Sequence, residues 1–194
     1  MSEPFEDSRR LTGANLYFDG AGAALETSPG LAFDADARQR WRDNIARARA
    51  TLGWPAGAVV VREHASGASL AFAAPADQLY CATEVNEWAW SAAIGQAVMF
   101  APGHADATND ACALKTLQLL ASSEAEPALM AFLDKATQTG WPVLADDDLL
   151  SIGFGAHVQV WPRQEVPEIS ILDAIAPEHM PIAIVTGSNG KTTS

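Results

Sequence analysis

The sequence predicts an α+β domain of short hairpins and three or four helices, followed by the first strand and P-loop of an α/β domain. Three observations support this fold class. Short β-rich runs flank glycine turns, amphipathic helical segments alternate with these runs, and an apolar run near residue 184 leads into a glycine loop that ends in Lys-Thr. We expect the α+β domain to cover residues 1–176 and the second domain to begin within residues 177–194.

The composition is that of a globular protein with one real core and a small piece of a second domain. The chain has 194 residues, of which 48% are hydrophobic. No window approaches the roughly 18 consecutive apolar residues of a membrane span, and the start MSEPFEDSRR lacks a hydrophobic stretch. Cys81 and Cys112 are too far apart for a CxxC pair. We therefore expect reduced thiols, a cytoplasmic location and no membrane partner.

The formal charge of −12 lies entirely in the second part of the chain. Residues 1–62 carry eight basic and eight acidic side chains, whereas residues 63–194 carry four basic and sixteen acidic ones. A negative field of this kind repels nucleic acid and anionic lipid. We therefore expect no nucleic-acid partner.

The first half of the chain predicts two hairpins around a helix. Residues 11–27 have the pattern of two brief strands joined by a glycine turn, and residues 58–63 and 69–73 form a second strand pair. Between them, apolar residues at helical spacing predict a helix from an N-cap at Asp34 or Asp36 to Gly53. Its arginines either form a solvated face or meet an anionic ligand: Arg38, Arg40, Arg42, Arg47 and Arg49.

The second half predicts three helices followed by short strands. The longest helical pattern runs from Cys81 to Met99 with Asp77 as a possible cap, and two further helices pass through 114–120 and from Pro127 to Gly140. Strand-like pieces follow at 141–145, 149–153 and 156–161, with one short element at 169–175. Trp88 and Trp90 of the long helix are expected in a core or an interface, with substrate stacking as the alternative.

The last residues contain the parts of a phosphate cradle. The apolar run IAIV leads directly into TGSNGKTTS. Glycines let backbone N–H groups turn towards an anion, a lysine reaches the terminal phosphates, and the next hydroxyl binds magnesium. The first glycine, however, lies two residues later than in the general GxxxxGK[ST] pattern, where the first position would be Val185.

TGSNGKTTS closely resembles the TG[TS]NGKTT signature of the Mur ligase superfamily, which has this variant spacing. The resemblance implies an ATP-dependent amide ligase, with an α/β ATPase domain, in which a substrate carboxylate attacks the γ-phosphate and an amine captures the acyl phosphate. The implied cofactors are ATP and Mg²⁺, and the partners are carboxylate and amine small molecules or peptides, with a homo-oligomer possible.

The resemblance also implies a role for each residue of the loop. Lys191 would be catalytic and would hold β- and γ-phosphate oxygens, and Thr192 would bind the magnesium ion. The nucleotide-binding residues would be Gly187, Ser188, Asn189, Gly190, Lys191, Thr192 and Thr193.

The upstream region is more weakly similar to cyanophycin synthetases. RLTGANLYF resembles their opening RGPNYW, although Ala14 replaces the proline, and SIGFG at 151–155 resembles their LGYG segment. The ATP-grasp domain that should follow LGYG is missing, because the P-loop comes about thirty residues later. This shortened arrangement means that the substrate of those synthetases does not carry over.

Only three residues follow Lys191, so the helix that should face the phosphates is absent. We therefore expect the chain to be the N-terminal part of a longer ligase and to be inactive alone. The alternative is a non-enzymatic binding or regulatory module with a vestigial P-loop tail. A P-loop kinase or GTPase is disfavoured by the glycine spacing.

Weaker patterns have ordinary structural explanations. Asp146, Asp147 and Asp148 indicate a turn rather than a cation site, and the four dispersed histidines do not have metal-ligand spacing. Glu84 and Glu87 lie one turn apart and either belong to a solvated face or recognise an amine or guanidinium group.

Overall fold

The computed structural model describes residues 3–30, 33–98, 100, 109–153, 155 and 158–174. Its elements, in chain order, are β1 (Phe5–Leu11), β2 (Gly22–Thr27), α1 (Ala35–Leu52), β3 (Val59–His64), β4 (Gly67–Ala73), α2 (Leu79–Ala93), α3 (Asp110–Glu124), α4 (Pro127–Thr139), β5 (Val143–Ala145), β6 (Leu149–Ile152), β7 (Gln159–Pro162) and α5 (Ile171–Ala174). The predicted α+β class is confirmed for these residues, which form two antiparallel sheets and five helices, where three or four helices were expected.

The chain divides into two compact units, Met1–Met130 and Ala131–Ser194. The division falls inside α4, whereas the boundary expected at residues 176 and 177 lies outside the described residues. Among the described residues, no helix combines the length and the apolar character that a bilayer crossing requires.

The first unit contains a four-stranded sheet in the order β1-β2-β4-β3. Both predicted hairpins are present, since β1 pairs with β2 and β3 pairs with β4. The first hairpin differs from the prediction, because its strands are Phe5–Leu11 and Gly22–Thr27, joined by residues 12–21. The strand FEDSRRL is mainly polar and lies at a sheet edge. It therefore lacks the alternation of apolar and polar residues by which a strand is predicted from sequence.

Helix α1 begins and ends where the sequence predicts. The Asp34 carboxylate accepts a hydrogen bond from the Ala37 N–H at 2.7 Å, and Gly53 ends the helix in the left-handed conformation with φ 72°. Trp41 and Ile45 are fully buried in the core of the unit. The apolar stripe of the helix therefore packs as its spacing predicts.

Two arginines of α1, Arg40 and Arg49, bind backbone carbonyl groups of neighbouring segments, while Arg42 and Arg47 are exposed. The Arg49 guanidinium is buried and donates to three backbone carbonyl oxygens at 2.7–3.0 Å, those of Gly57, Ala58 and Ala73. Arg40 donates to the Ala93 carbonyl at 2.6 Å. These hydrogen bonds connect α1 to the segment just before β3, to the end of β4 and to the end of α2.

Helix α2 is shorter than predicted. It ends at Ala93 rather than near Met99, because Gly95 adopts φ 71° and the N–H groups of Gly95 and Gln96 bond back to Ala92 and Ser91. Trp88 and Trp90 are fully buried, which agrees with the core assignment. The helix supplies the largest side chains of the core.

The second unit contains a three-stranded antiparallel sheet in the order β5-β6-β7. Its buried side chains come from the helix and sheet residues Phe132, Ala136, Leu150, Ile152 and Leu172. The Trp141 indole N–H donates to the Leu172 carbonyl at 3.1 Å and so holds α5 in place.

The acidic triplet between β5 and β6 is a turn, as the sequence predicts. The Asp146 carboxylate accepts hydrogen bonds from the N–H groups of Asp148 and Leu149 at 2.9 and 2.7 Å. These two backbone bonds lower the pKa of Asp146.

Candidate functional site

The predicted phosphate loop lies outside the described residues. This applies to Lys191 and to every nucleotide-binding residue proposed for residues 187–193, including Thr192 as the magnesium ligand. These assignments remain predictions. The described residues offer two other polar sites, both in the first unit.

The first polar site is a cleft of about 410 Å³ between β1 and α2. Its lining residues are Ser8, Arg9, Arg10, Thr12, Tyr80 and Thr83. The Arg10 guanidinium lies 4.0 Å from the centre of the Tyr80 ring, in cation–π contact. The cleft therefore presents a cation and several hydroxyl groups along the outer edge of the sheet.

Glu84 and Glu87, which the sequence singles out as possible ligands for an amine, lie on the same helix as Tyr80 and Thr83. Burial raises the pKa of the Glu87 carboxyl, and the nearby charge of Glu84 adds to this effect. Neither side chain is fully exposed, so the expectation of a simply solvated face is not met. A cationic group binding there would relieve the repulsion between the two carboxylates.

The N-terminus of α2 is capped from a distant helix. The carboxylate of Glu124, at the end of α3, accepts hydrogen bonds from the N–H groups of Tyr80 at 3.0 Å and Cys81 at 2.7 Å. Burial raises the pKa of Glu124, although these bonds oppose the shift, and the charge of Asp77 adds to it. The sequence suggested Asp77 as the cap of this helix, but the cap residue is Gln78, with no side-chain capping bond.

Asp77 instead binds the segment before α4. One of its carboxylate oxygens accepts a hydrogen bond from the Glu126 N–H at 2.8 Å, while the other is buried without a hydrogen-bond partner. Only 6% of the residue is exposed. Asp77 and Glu124 thus place two carboxyl groups near the start of α2.

The second polar site surrounds Glu26 on the sheet face away from the helices. Glu26 accepts hydrogen bonds from Arg9 at 2.8 Å, Ser69 at 2.7 Å and Tyr17 at 3.3 Å, and His64 Nε2 lies 3.4 Å from its carboxylate. Burial alone would raise the pKa of Glu26, but the Ser69 and Arg9 hydrogen bonds lower it. Burial alone would lower the pKa of Arg9, but its hydrogen bonds to Asp7 and Glu26 raise it.

Residues 12–21, the loop from β1 to β2, fold over this second site. Asn15 organises the loop, since its side chain donates to the carbonyls of Gly13 and Gly20 and accepts from the N–H groups of Tyr17 and Phe18. In the sequence this segment belongs to the predicted hairpin of residues 11–27 and to the resemblance to RGPNYW. Neither pattern pointed to Glu26.

The described residues contain no group of three or more His, Cys, Asp or Glu side chains able to hold a metal ion. His64 belongs to the Glu26 site, and the other three histidines, His104, His157 and His179, lie outside the described part of the chain. No model of a known protein family matches this chain, and no curated protein matches it.

Proposed function

We propose that this chain is the N-terminal part of an ATP-dependent amide ligase that works through an acyl phosphate. The observation that carries the proposal is the order of residues 182–194, in which an apolar strand-forming run leads into TGSNGKTTS. The glycine spacing of this loop resembles that of the Mur ligases rather than that of kinases or GTPases. The reaction would join a carboxylic acid to an amine.

The chemistry of the loop residues suits ATP and Mg²⁺. Backbone N–H groups from Gly187 to Gly190 would surround the phosphates, the Lys191 ammonium would hold β- and γ-phosphate oxygens, and the Thr192 hydroxyl would bind magnesium. When bound, ATP supplies the phosphoryl group that activates the carboxylate. Charge that moves onto phosphate oxygens in the transition state is stabilised best by donors already in place, such as Lys191.

The first unit suits the role of a substrate or assembly domain. Its β1–α2 cleft carries Arg10 on one wall, and α2, which supplies Tyr80 and Thr83 to the other wall, also carries Glu84 and Glu87. A ligase of this class handles both carboxylates and amines, and these opposite charges suit both groups. The cleft supports the proposal, and the loop sequence carries it.

Oxygen transfer tests the proposed reaction. The complete reading frame that contains this chain is incubated with ATP, Mg²⁺ and amino acids or short peptides whose carboxylates are labelled with heavy oxygen. Attack of a carboxylate on the γ-phosphate followed by amide formation moves one labelled oxygen into inorganic phosphate. We expect labelled phosphate in amounts equal to the amide formed.

Other outcomes separate the alternative functions. Unlabelled phosphate, released without amide, would indicate a simple ATPase, and a phosphorylated hydroxyl product would indicate a kinase. No nucleotide turnover with any acid and amine pair would favour the binding or regulatory module. Each of these results would overturn the ligase proposal.

A further inference from the structure

Strand β1 is an edge strand of the sheet that the described residues form. The sheet order β1-β2-β4-β3 places β2 on one side of β1, and no strand of the described residues pairs with its other side. The outer N–H and C=O groups of such a strand form a template for another chain. Which chain fits depends on the side chains along the strand.

The charged residues of β1 lie at equal distances on the two sides of Ser8, with the acids before it and the bases after it. The strand reads Phe-Glu-Asp-Ser-Arg-Arg-Leu, so that an apolar residue and two acids precede Ser8, and two bases and an apolar residue follow it. A strand of this pattern is complementary to itself in one arrangement only. That arrangement is antiparallel, with Ser8 opposite Ser8.

We propose that two copies of this chain associate through antiparallel pairing of their β1 strands around a two-fold axis at Ser8. Asp7 of each copy then lies opposite Arg9 of the other. The two four-stranded sheets become one continuous sheet. This inference goes beyond the proposed function and does not depend on it.

The register of β1 on β2 places the pairing residues correctly. Asp7 is opposite Glu26 and Arg9 is opposite Ala24, two positions apart on β2, so both side chains lie on the same face of the sheet. A two-fold axis perpendicular to the sheet keeps the faces matched, so Asp7 of one copy meets Arg9 of the other. Within its own chain Arg9 also pairs with Asp7 and Glu26, so acidic and basic side chains alternate across the seam. Opposite charges directly across a strand pair stabilise it.

A second charge pair flanks the first one. Glu6 lies opposite Arg10 of the other copy, at the irregularity in β1 between Phe5 and Asp7. This pair is therefore less regular than the pair of Asp7 and Arg9.

Two comparisons explain why the charges favour this partner. A parallel second copy in the same alignment would put like charges opposite each other, which is destabilising. The other edge strand, β3, reads Val-Val-Val-Arg-Glu-His and lacks the symmetric charge order. Charged residues usually protect an edge strand from pairing with another chain. At β1, the antiparallel register centred on Ser8 places opposite charges across from each other, so the charges favour that register.

The test uses sedimentation of the 194-residue chain over a wide range of protein concentration. Reductant is present throughout because Cys112 is exposed and could form an unrelated disulfide. We expect a reversible monomer–dimer equilibrium. Asp7→Arg should weaken the dimer about tenfold or more, because two attractive pairs become repulsive.

The matched control is Glu63→Arg, which makes the same charge change at the exposed edge strand β3. It should leave the dimer unchanged. The double variant Asp7→Arg with Arg9→Asp restores opposite charges and should recover association, provided that circular dichroism shows it folded. A dimer weakened equally by Asp7→Arg and Glu63→Arg would overturn the proposal.

A measurement on the unchanged chain tests the proposal even if the double variant Asp7→Arg with Arg9→Asp does not fold. Amide hydrogen exchange is followed at low and high protein concentration. We expect exchange at residues 7–9 to slow with concentration, while exchange in β3 does not change. A chain that stays monomeric throughout, or protection confined to another surface, would contradict the β1 dimer.

Discussion

The indole N–H of Trp41 donates a buried hydrogen bond of 2.9 Å to the side-chain carbonyl of Asn86. The amide nitrogen of Asn86 donates in turn to the Leu70 carbonyl at 2.9 Å. This one fully buried side chain therefore links α1, α2 and β4. Because the surroundings are apolar, the buried Trp41 N–H depends on Asn86 for its hydrogen bond.

Replacing Asn86 with Leu should destabilise the first unit. The substitution leaves the Trp41 N–H buried without a partner, at a cost of about 1–3 kcal/mol, and removes one of the bonds to the Leu70 carbonyl. We expect the free energy of unfolding to fall by about 1–3 kcal/mol, as measured by urea denaturation. Gln39→Ala on the exposed side of α1 is the control, and equal stability of the two variants would contradict the assigned role.

Asn15→Ala should loosen residues 12–21 without unfolding the sheet. Asn15 makes four hydrogen bonds within this loop, and alanine can replace none of them. We expect faster amide exchange at Tyr17 and Phe18 and faster proteolysis in the loop. Leu16→Ala is the comparison, because Leu16 is 80% exposed. Unchanged exchange in Asn15→Ala would show that the loop does not depend on this side chain.

Glu26 should make the stability of the first unit depend on pH in a defined direction. The folded-state pKa of Glu26 is lowered below its ordinary value of 4.5, so the folded protein prefers the ionised carboxylate. Its contribution is complete above pH 4.5 and is lost as the pH falls through the lowered folded-state value. Stability should therefore decrease on that acidic side.

The variant Glu26→Gln isolates this contribution. The difference in unfolding free energy between the unchanged chain and the variant should be largest near neutral pH and should narrow as the pH falls below 4.5. Glu165→Gln, at an exposed position of the second unit, is the control. A difference that stays constant from neutral to acidic pH would refute the effect of ionisation.

Local signals allowed much of the fold to be predicted from the sequence. Helix α1 is predicted by the spacing of its apolar residues and by the capping residues next to its two ends, Asp34 and Gly53. The hairpin of β3 and β4 turns at Ala65 and Ser66, one residue before the predicted Ser66-Gly67 turn, because His64 pairs with Gly67. In each case the residues that decide the structure are neighbours in the chain.

The polar sites could not be predicted because their residues are distant in sequence. The Glu26 site joins Arg9, Tyr17, His64 and Ser69, which only sheet pairing brings together. The cap of α2 was also missed, because Glu124 reaches it from 43 residues away. Asp77 lies near the start of α2 in the sequence, but tertiary contacts determine that the carboxylate of Glu124 caps this helix.

The central claim is that residues 187–193 form the ATP loop of an amide ligase, and trapping the activated carboxylate tests it most directly. Hydroxylamine captures an acyl phosphate as a hydroxamate even when the natural amine is unknown. The complete reading frame is assayed with ATP, Mg²⁺ and a panel of carboxylic acids. Lys191→Ala is compared with Lys115→Ala, which removes an exposed lysine of α3.

We expect ATP-dependent hydroxamate with at least one acid. Lys191→Ala should reduce it about 100-fold or more, comparable to the loss of one preorganised transition-state donor, and circular dichroism should show the variant still folded. Lys115→Ala should keep full activity. Hydroxamate formation that survives Lys191→Ala within a factor of a few, or that falls equally in both variants, would contradict the assignment of this loop.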